Sequence, residues 1–495
     1  MKDNIQLQAY KTWFEPIIPI KLQDNILSVQ VPSKFFYEWI EENYIDLLTS
    51  AIKKQLGDES KLVYSIMMEN IYGNDRPYTI KVPSIKRKSI NNQNIKVGID
   101  IGTSKVVCLV VESNADGLNV LGLGTHPSKG LKNGVVVDIE STVQAIQEAT
   151  NKAELMSGIR VHQAYVGISG GSSNGLNSEG VVPIKDKKVK FSDVEKVITA
   201  AKAQAIPDGY KLLHILAREY AIDQQNGIKE PLGMAGVRLE AKVHLVSCDK
   251  NAAENISSCM RACGITVQDY VLEQLASSYS VLSDDEKRLG VCLIDLGGGT
   301  SDVAIFMDDS ISHTVNIPVG GDHVTNDIAR AIQTPTSQAE ELKKKYGCAS
   351  SSLTNEGDKI STPSINGRSD KIFSRQALAD VIEHRYAEIF QMIKQRLGIN
   401  DLSQLLPAGI VLTGGASKIE GISQLGEEIF QVPVRVGKPK GLVGLTDILK
   451  NPVYSTSIGL ILYGQKITEE EIIDFAFMRE KGLVNRAFKW IQNNF

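Results

Sequence analysis

The sequence predicts an α/β protein with two similar halves facing a cleft, preceded by a small, separate α/β module. Three observations predict it. From Ile95 onward, β-rich apolar runs alternate with helical segments, the pattern of layered α/β architecture. The run KVGIDIGTSKVVCLVVE, at 96–112, reappears in layout as GVCLIDLGGGTSDVAIFM at 290–307, each a strand, a glycine turn and a strand. Residues 1–70 carry a self-contained pattern of their own.

Size and composition agree with several domains. The chain has 495 residues, and single cores stop growing at roughly 250–300. A net charge of −4 with 42% hydrophobic residues excludes a disordered chain and a nucleic-acid-coating polycation. Cys108, Cys248, Cys259, Cys263, Cys292 and Cys348 show no CxxC spacing and no companion histidines. They read as reduced core thiols of a cytosolic protein, not a zinc site or disulfide framework. No run reaches the ~18 apolar residues that span a bilayer, and MKDNIQLQAYKTW is no signal peptide. Any membrane contact is expected to be peripheral.

In order along the chain, a short helix is expected around Leu7–Trp13, then a strand pair split at Asp24-Asn25. An amphipathic helix from about Ser33 to Leu56 and a strand near Val63–Met67 complete the module. Pro77, Pro83, the basic run Lys86-Arg87-Lys88 and an Asn/Gln-rich end leave little to bury, so 71–94 reads as a linker. Three linker charges are most simply solvated. The next predicted helix spans Ile139–Met156.

Two hairpin tips carry the chemistry. Asp100 ends a strand and Gly102-Thr103-Ser104-Lys105 turns into the next; Asp295 ends another and Gly297-Gly298-Gly299-Thr300 turns likewise. Glycines let backbone N–H groups approach an anion, and the hydroxyls add donors, so each tip suits part of a polyphosphate. The carboxylates would repel phosphate directly. Their expected work is to hold Mg²⁺ through its waters, Asp100 and Asp295 alike, or to orient an attacking water. A third turn, Gly414-Gly415-Ala416, follows the apolar strand at 411–413, and exposed backbone there would receive a nucleoside.

Beyond the core, Leu483, Val484, Ala487, Phe488, Ile491 and Phe495 recur at three- and four-residue steps with Lys481, Arg486 and Lys489 on the flanks and Trp490 at the border. Such a face suits a helix lying in the headgroup region of an anionic bilayer. The alternative is a helix packed on the protein's own core. The acidic segment at 465–480 is expected to tether it.

Taken together, DxGT, DxGGGTxD and TGGA in this order resemble the phosphate and adenosine motifs of the actin, sugar kinase and Hsp70 superfamily. Over residues 95–495 the chain resembles the FtsA family specifically, in PSKGLKNGVVVDIESTVQAIQEATNKAELMSG, LHILAREYAIDQQNGIKEPLGMAGVRLEAKVHLVSC and LPAGIVLTGGASKIEGI among others. The resemblance implies an actin-like core with an FtsA-type inserted subdomain at about 170–247, ATP with Mg²⁺ in the cleft, and weak hydrolysis at most. It implies head-to-tail filaments, other division proteins on the inserted subdomain, and the C-terminal peptide of FtsZ as partner at Arg385 and Glu388. It also implies adenosine contacts from Glu340 and Lys343, an acid near the attacking water at Glu273, and a membrane-targeting C-terminal helix. That would make the protein peripheral to the inner membrane at the division septum. Residues 1–70, through TWFEPIIPIKLQDNILSVQVPSKFFYEWIEENYIDLLTSAIKKQLG, resemble domain I of DnaA, a small KH-like α/β interaction module. Two other readings stay open at this stage. A small-molecule kinase would need an acid facing a second substrate, and a chaperone would need a β-rich domain after the ATPase. Neither feature is visible.

Overall fold

The computed structural model describes residues 94–480 with short gaps. In the N-terminal module it describes three strands and a few further positions, and from 468 to 480 the backbone alone. The expected helix at 7–13, most of that at 33–56, the linker before residue 94 and all of 481–495 lie outside the described residues. The chain divides into an N-terminal unit and a main unit.

In the N-terminal unit, β1 (Ile18–Gln23) pairs antiparallel with β2 (Ile26–Val31), which pairs parallel with β3 (Lys61–Ile66). Val29 and Val31 alternate inward and are buried, the period-2 pattern of a one-sided sheet.

The main unit begins with β4 (Ile95–Ile101), β5 (Lys105–Asn114) and β6 (Gly117–Pro127), a meander followed by the short hairpin β7 (Leu131–Lys132) and β8 (Val135–Val136). Helix α1 (Ile139–Ser157) starts where the Asp138 carboxylate accepts the Ser141 N–H and stops at Gly158, whose φ of 71° is left-handed; an acidic N-cap and a glycine stop are the expected boundaries. It leads to β9 (Gln163–Ile168). There the chain leaves the sheet to form β10 (Ser173–Pro183), α2 (Phe191–Lys202), β11 (Tyr210–Ile222), β12 (Gln225–Ile228) and β13 (Arg238–Asp249), a separate sheet of order β10-β13-β11-β12. It returns through α3 (Lys250–Ala262) and β14 (Thr266–Leu272) to α4 (Glu273–Val281).

The second half repeats the plan. β15 (Val291–Leu296), β16 (Ser301–Met307) and β17 (Ser310–Ile317) form the meander. Helices α5 (Gly321–Ile332) and α6 (Thr336–Tyr346), the pair β18 (Lys359–Thr362) and β19 (Lys371–Ser374), and α7 (Arg375–Leu397) intervene before β20 (Ile410–Thr413). Helix α8 (Ile422–Phe430), strand β21 (Val434–Val436) and helix α9 (Ser455–Glu480) complete it. The sheet orders are β14-β9-β4-β5-β6 and β17-β16-β15-β20-β21. Each runs from an antiparallel meander into two parallel strands, so the repeat seen in the sequence is a duplication of topology.

Both faces of these central strands are covered, which is why they read as continuous apolar runs. Cys292, Ile294 and Leu296 of β15 face a core with Ile328, Ile382, Tyr386 and Phe390. Val291 and Leu293, on the opposite face, pack with Leu275 and Ala276 of α4 and Leu460 and Tyr463 of α9. Helices α4 and α9 thus form a central layer. The segment read as a tether, 465–480, continues α9 as helix. The inserted sheet rests on the second half. The Lys229 ammonium reaches the carbonyls of Arg218 and Asp308 and the Ser310 hydroxyl, and His244 bridges Asn177 and Thr314.

Candidate functional site

Both hairpin tips close with the same bond. The Gly102 N–H donates to the Lys105 carbonyl at 3.0 Å, and the Gly297 N–H to the Thr300 carbonyl at 2.9 Å. The tips face each other across the centre of the main unit. A Cβ on Gly298 would fall 1.9 Å from the Ser104 hydroxyl, and one on Gly299 2.7 Å from that of Thr103. A methyl group at either position would force the Ser104 or Thr103 side chain to move. The Thr103 hydroxyl accepts the Gly134 N–H, the Ser104 hydroxyl donates to Asp322, and the Thr300 hydroxyl donates to Asp302.

Four carboxylates gather beneath the tips. Burial pushes Asp100 up to about 7, with Lys105 opposing and Asp295 adding. Burial, then Asp100, Asp302 and Asp295, hold Glu273 well above the carboxylate range. Burial also raises Asp295, against the hydroxyls of Ser277 and Thr456. Lys105 is pushed down to about 8 by burial, against the pull of Asp100, and its ammonium lies 4.5 Å from the centre of the Tyr454 ring. Crowded acids that resist ionising together are relieved by a cation. Among the described residues these carboxylates are not close enough together for three or more of them to ligate one metal ion directly. One or two hard oxygens beside a phosphate suit a hydrated Mg²⁺, which keeps most of its waters.

The third turn joins them. Gly414 has a φ of 84°, and a Cβ there would lie 2.3 Å from Asp295 Oδ1. Gly415 and Ala416 continue as a single 3-10 turn, with α8 beginning only at Ile422. The Tyr386 hydroxyl donates to the Ala416 carbonyl at 2.8 Å. Glu340 and Lys343 are ion-paired at 2.7 Å, and Lys343 donates to the Gly321 carbonyl at 3.0 Å. The first turn of α5 donates back, Gly321 N–H to the Gly297 carbonyl and Asp322 N–H to that of Gly298. The structure therefore gathers the two tips, the Gly414 turn and the Glu340–Lys343 pair around one centre.

Several neighbours carry no local sequence signal. Asp322, Ser277, Thr456 and Asn316 reach the site from distant segments. The doublet Gly320-Gly321 before a helix was the one available hint of a backbone contact.

Arg385 and Glu388 lie apart, lining a surface groove of about 520 Å³ with Asp327, Arg330, Val381 and His384. The Arg385 guanidinium pairs with Glu388 one turn on and with Asp327 of α5. Leu483, Val484, Phe488, Trp490, Ile491 and Phe495 lie outside the described residues.

Comparison with known proteins decides the family. A Cell division protein FtsA of Pseudomonas aeruginosa is 52% identical over 415 residues, covering 82% of this chain and 100% of that protein. The chain belongs to the FtsA family of cell-division proteins. The Escherichia coli K12 FtsA is 40% identical, with 82% of this chain and 99% of its own length covered. Within this FtsA-family chain, the Cell division protein FtsA profile matches residues 292–459 and the SHS2 domain inserted in FtsA matches residues 170–247, the region of the β10–β13 sheet. The DnaA N-terminal domain profile matches residues 1–54. A solved PilM-PilN type IV pilus biogenesis complex is similar at a TM-score of 0.56 and 17% identity, covering 74% of this chain and 98% of that one. The likeness concerns the fold, and the duplicated architecture is the actin-like one.

Proposed function

We propose that this FtsA-family protein binds ATP with Mg²⁺ between its two halves, assembles head to tail into actin-like filaments, and ties the C-terminal peptide of FtsZ to the cytoplasmic face of the inner membrane at the septum. The observation that carries the reading is the meeting of three glycine turns at one acidic centre, Ser104 against Gly298 and Asp295 against Gly414.

In this reading the backbone N–H groups and hydroxyls of Gly102, Thr103, Ser104 and Gly297, Gly298, Gly299, Thr300 receive the phosphates, and Lys105 adds a cation. Glu340 and Lys343 border the adenosine opposite Gly414, Gly415 and Ala416. Asp100 and Asp295 would hold the metal through its waters, and Glu273 would orient an attacking water where slow hydrolysis occurs. Bound Mg²⁺ would neutralise phosphate charge. Arg385 and Glu388 receive the FtsZ peptide, the β10–β13 sheet receives other division proteins, and the face built from Leu483 to Phe495 lies on the bilayer. The N-terminal 1–70 module serves as a protein-interaction unit joined by the 71–94 linker.

Calorimetric titration with ATP and Mg²⁺ tests the core of the proposal. Binding by the full chain, its loss in Asp295→Ala and its retention in Trp490→Glu are expected. A full chain that binds no ATP would refute it.

A further inference from the structure

Asp295 is held from both helices of the central layer. Ser277 of α4 donates to its Oδ2 at 2.5 Å, and Thr456 in the first turn of α9 donates to the same oxygen at 3.3 Å. The two hydroxyls are 3.1 Å apart, closing a triangle. Ser277 is fully buried and Thr456 is 9% exposed. Among the described residues no hydrogen bond reaches Oδ1, the oxygen on the Gly414 side.

Neighbouring hydroxyls behave differently. A serine or threonine inside a helix ordinarily bonds back to a carbonyl of the preceding turn. Ser278, Ser280 and Ser457 do so, to Leu275, Ser277 and Tyr454. Ser277 and Thr456 forgo that local bond and turn to a carboxylate on another element. A carboxylate that works through metal-bound waters needs a fixed plane, and outer partners supply it.

We propose that Ser277 and Thr456 are positioning residues for Asp295. One hydroxyl from each central helix fixes Oδ2, so that Oδ1 is left to the hydrated Mg²⁺ of a bound nucleotide. The inference rests on the nucleotide reading above and names how its metal-side carboxylate is seated.

The test is the ratio of ATP affinities in Mg²⁺ and in EDTA, by calorimetry on the full chain. In Ser277→Ala/Thr456→Val the affinity in EDTA should be nearly unchanged, while the gain from Mg²⁺ falls by about tenfold, the lower end of effects seen for outer-shell partners. Thr456→Ser, which keeps the hydroxyl, should retain the full gain. A merely structural role would lower the melting temperature and leave the ratio alone, and an unchanged ratio overturns the proposal. Should the double variant not fold, Thr456→Val carries the same comparison alone, with a smaller loss expected. A wild-type chain that binds ATP without any Mg²⁺ gain would refute the positioning role only; one that binds no ATP would remove the nucleotide reading with it.

Discussion

Gly459 of α9 lies directly on the backbone of Ala276 in α4: a methyl group on it would stand 1.9 Å from the Ala276 carbonyl oxygen. The two central helices touch at that point, beside Ser277 and one turn from Thr456. Gly459→Ala must push them apart. Overpacking of this kind costs about 1–3 kcal/mol, so the urea midpoint should fall clearly. Leu155→Ala, at a side chain 83% exposed, should change stability by less than about 0.5 kcal/mol.

The close approach of the tips gives a compensating pair. Gly298→Ala sets a methyl against the Ser104 side chain, which is flexible where backbone would not be. ATP affinity should drop in Gly298→Ala and recover only in part when Ser104→Gly is added, since that change relieves the clash but removes a phosphate-facing hydroxyl. Equal loss in both variants would show that the tips need not meet.

Acid should erode what the buried histidines contribute to stability. Burial holds His214 at about 4, below its ordinary 6.5, and its Nε2 accepts the Leu272 N–H at 3.1 Å. The unfolded chain therefore takes up the proton first. Stability from this group is complete above pH 6.5 and is lost as pH falls from 6.5 toward 4, by about 3 kcal/mol in total. The stability difference between wild type and His214→Gln should therefore shrink as pH falls across that window. His244, also held at about 4 by burial, acts in the same sense, while the raised Asp100, Glu273 and Asp295 act in the opposite one, so the histidine effect is read from the difference between the two proteins.

The proposed membrane face is open to a sedimentation assay with anionic liposomes. The full chain should pellet with them, and a chain ending at Glu480 should stay in solution. Trp490→Glu should release the protein while leaving ATP binding intact. Pelleting by the shortened chain would contradict the assignment of 481–495.

At the groove, Arg385→Ala should weaken FtsZ-tail peptide binding by about tenfold, one lost charge-assisted contact. The same change should cost under about 1 kcal/mol of stability, because its pairs with Asp327 and Glu388 are partly exposed and screened. Peptide titration and thermal melts separate the two effects.

Much of the fold was legible because its signals are local. Alternating apolar runs and the glycine turns after Asp100 and Asp295 act within a few residues. Elsewhere spacing showed half of a contact. The i, i+3 steps of Glu340–Lys343 and Arg385–Glu388 are read from sequence, and both pairs form. That Lys343 also caps onto Gly321, and Arg385 onto Asp327, required the neighbouring helix α5. The acidic run at 465–480, expected to tether the C-terminal face, continues α9 as helix, since a helix already started and packed propagates at little cost.

The sequence by itself determined the duplicated α/β plan, the nucleotide-type turns, the FtsA family resemblance and the apolar face at 481–495, because periodicity and short motifs are properties of adjacent residues. Only the tertiary structure decided that Ser277 and Thr456 share one oxygen of Asp295, that Ser104 meets Asp322, and that His244 docks the inserted sheet on Thr314. These bonds join segments up to 218 residues apart. A hydroxyl's partner is chosen by which elements pack beside it, and packing is settled by burying whole faces of helices and sheets.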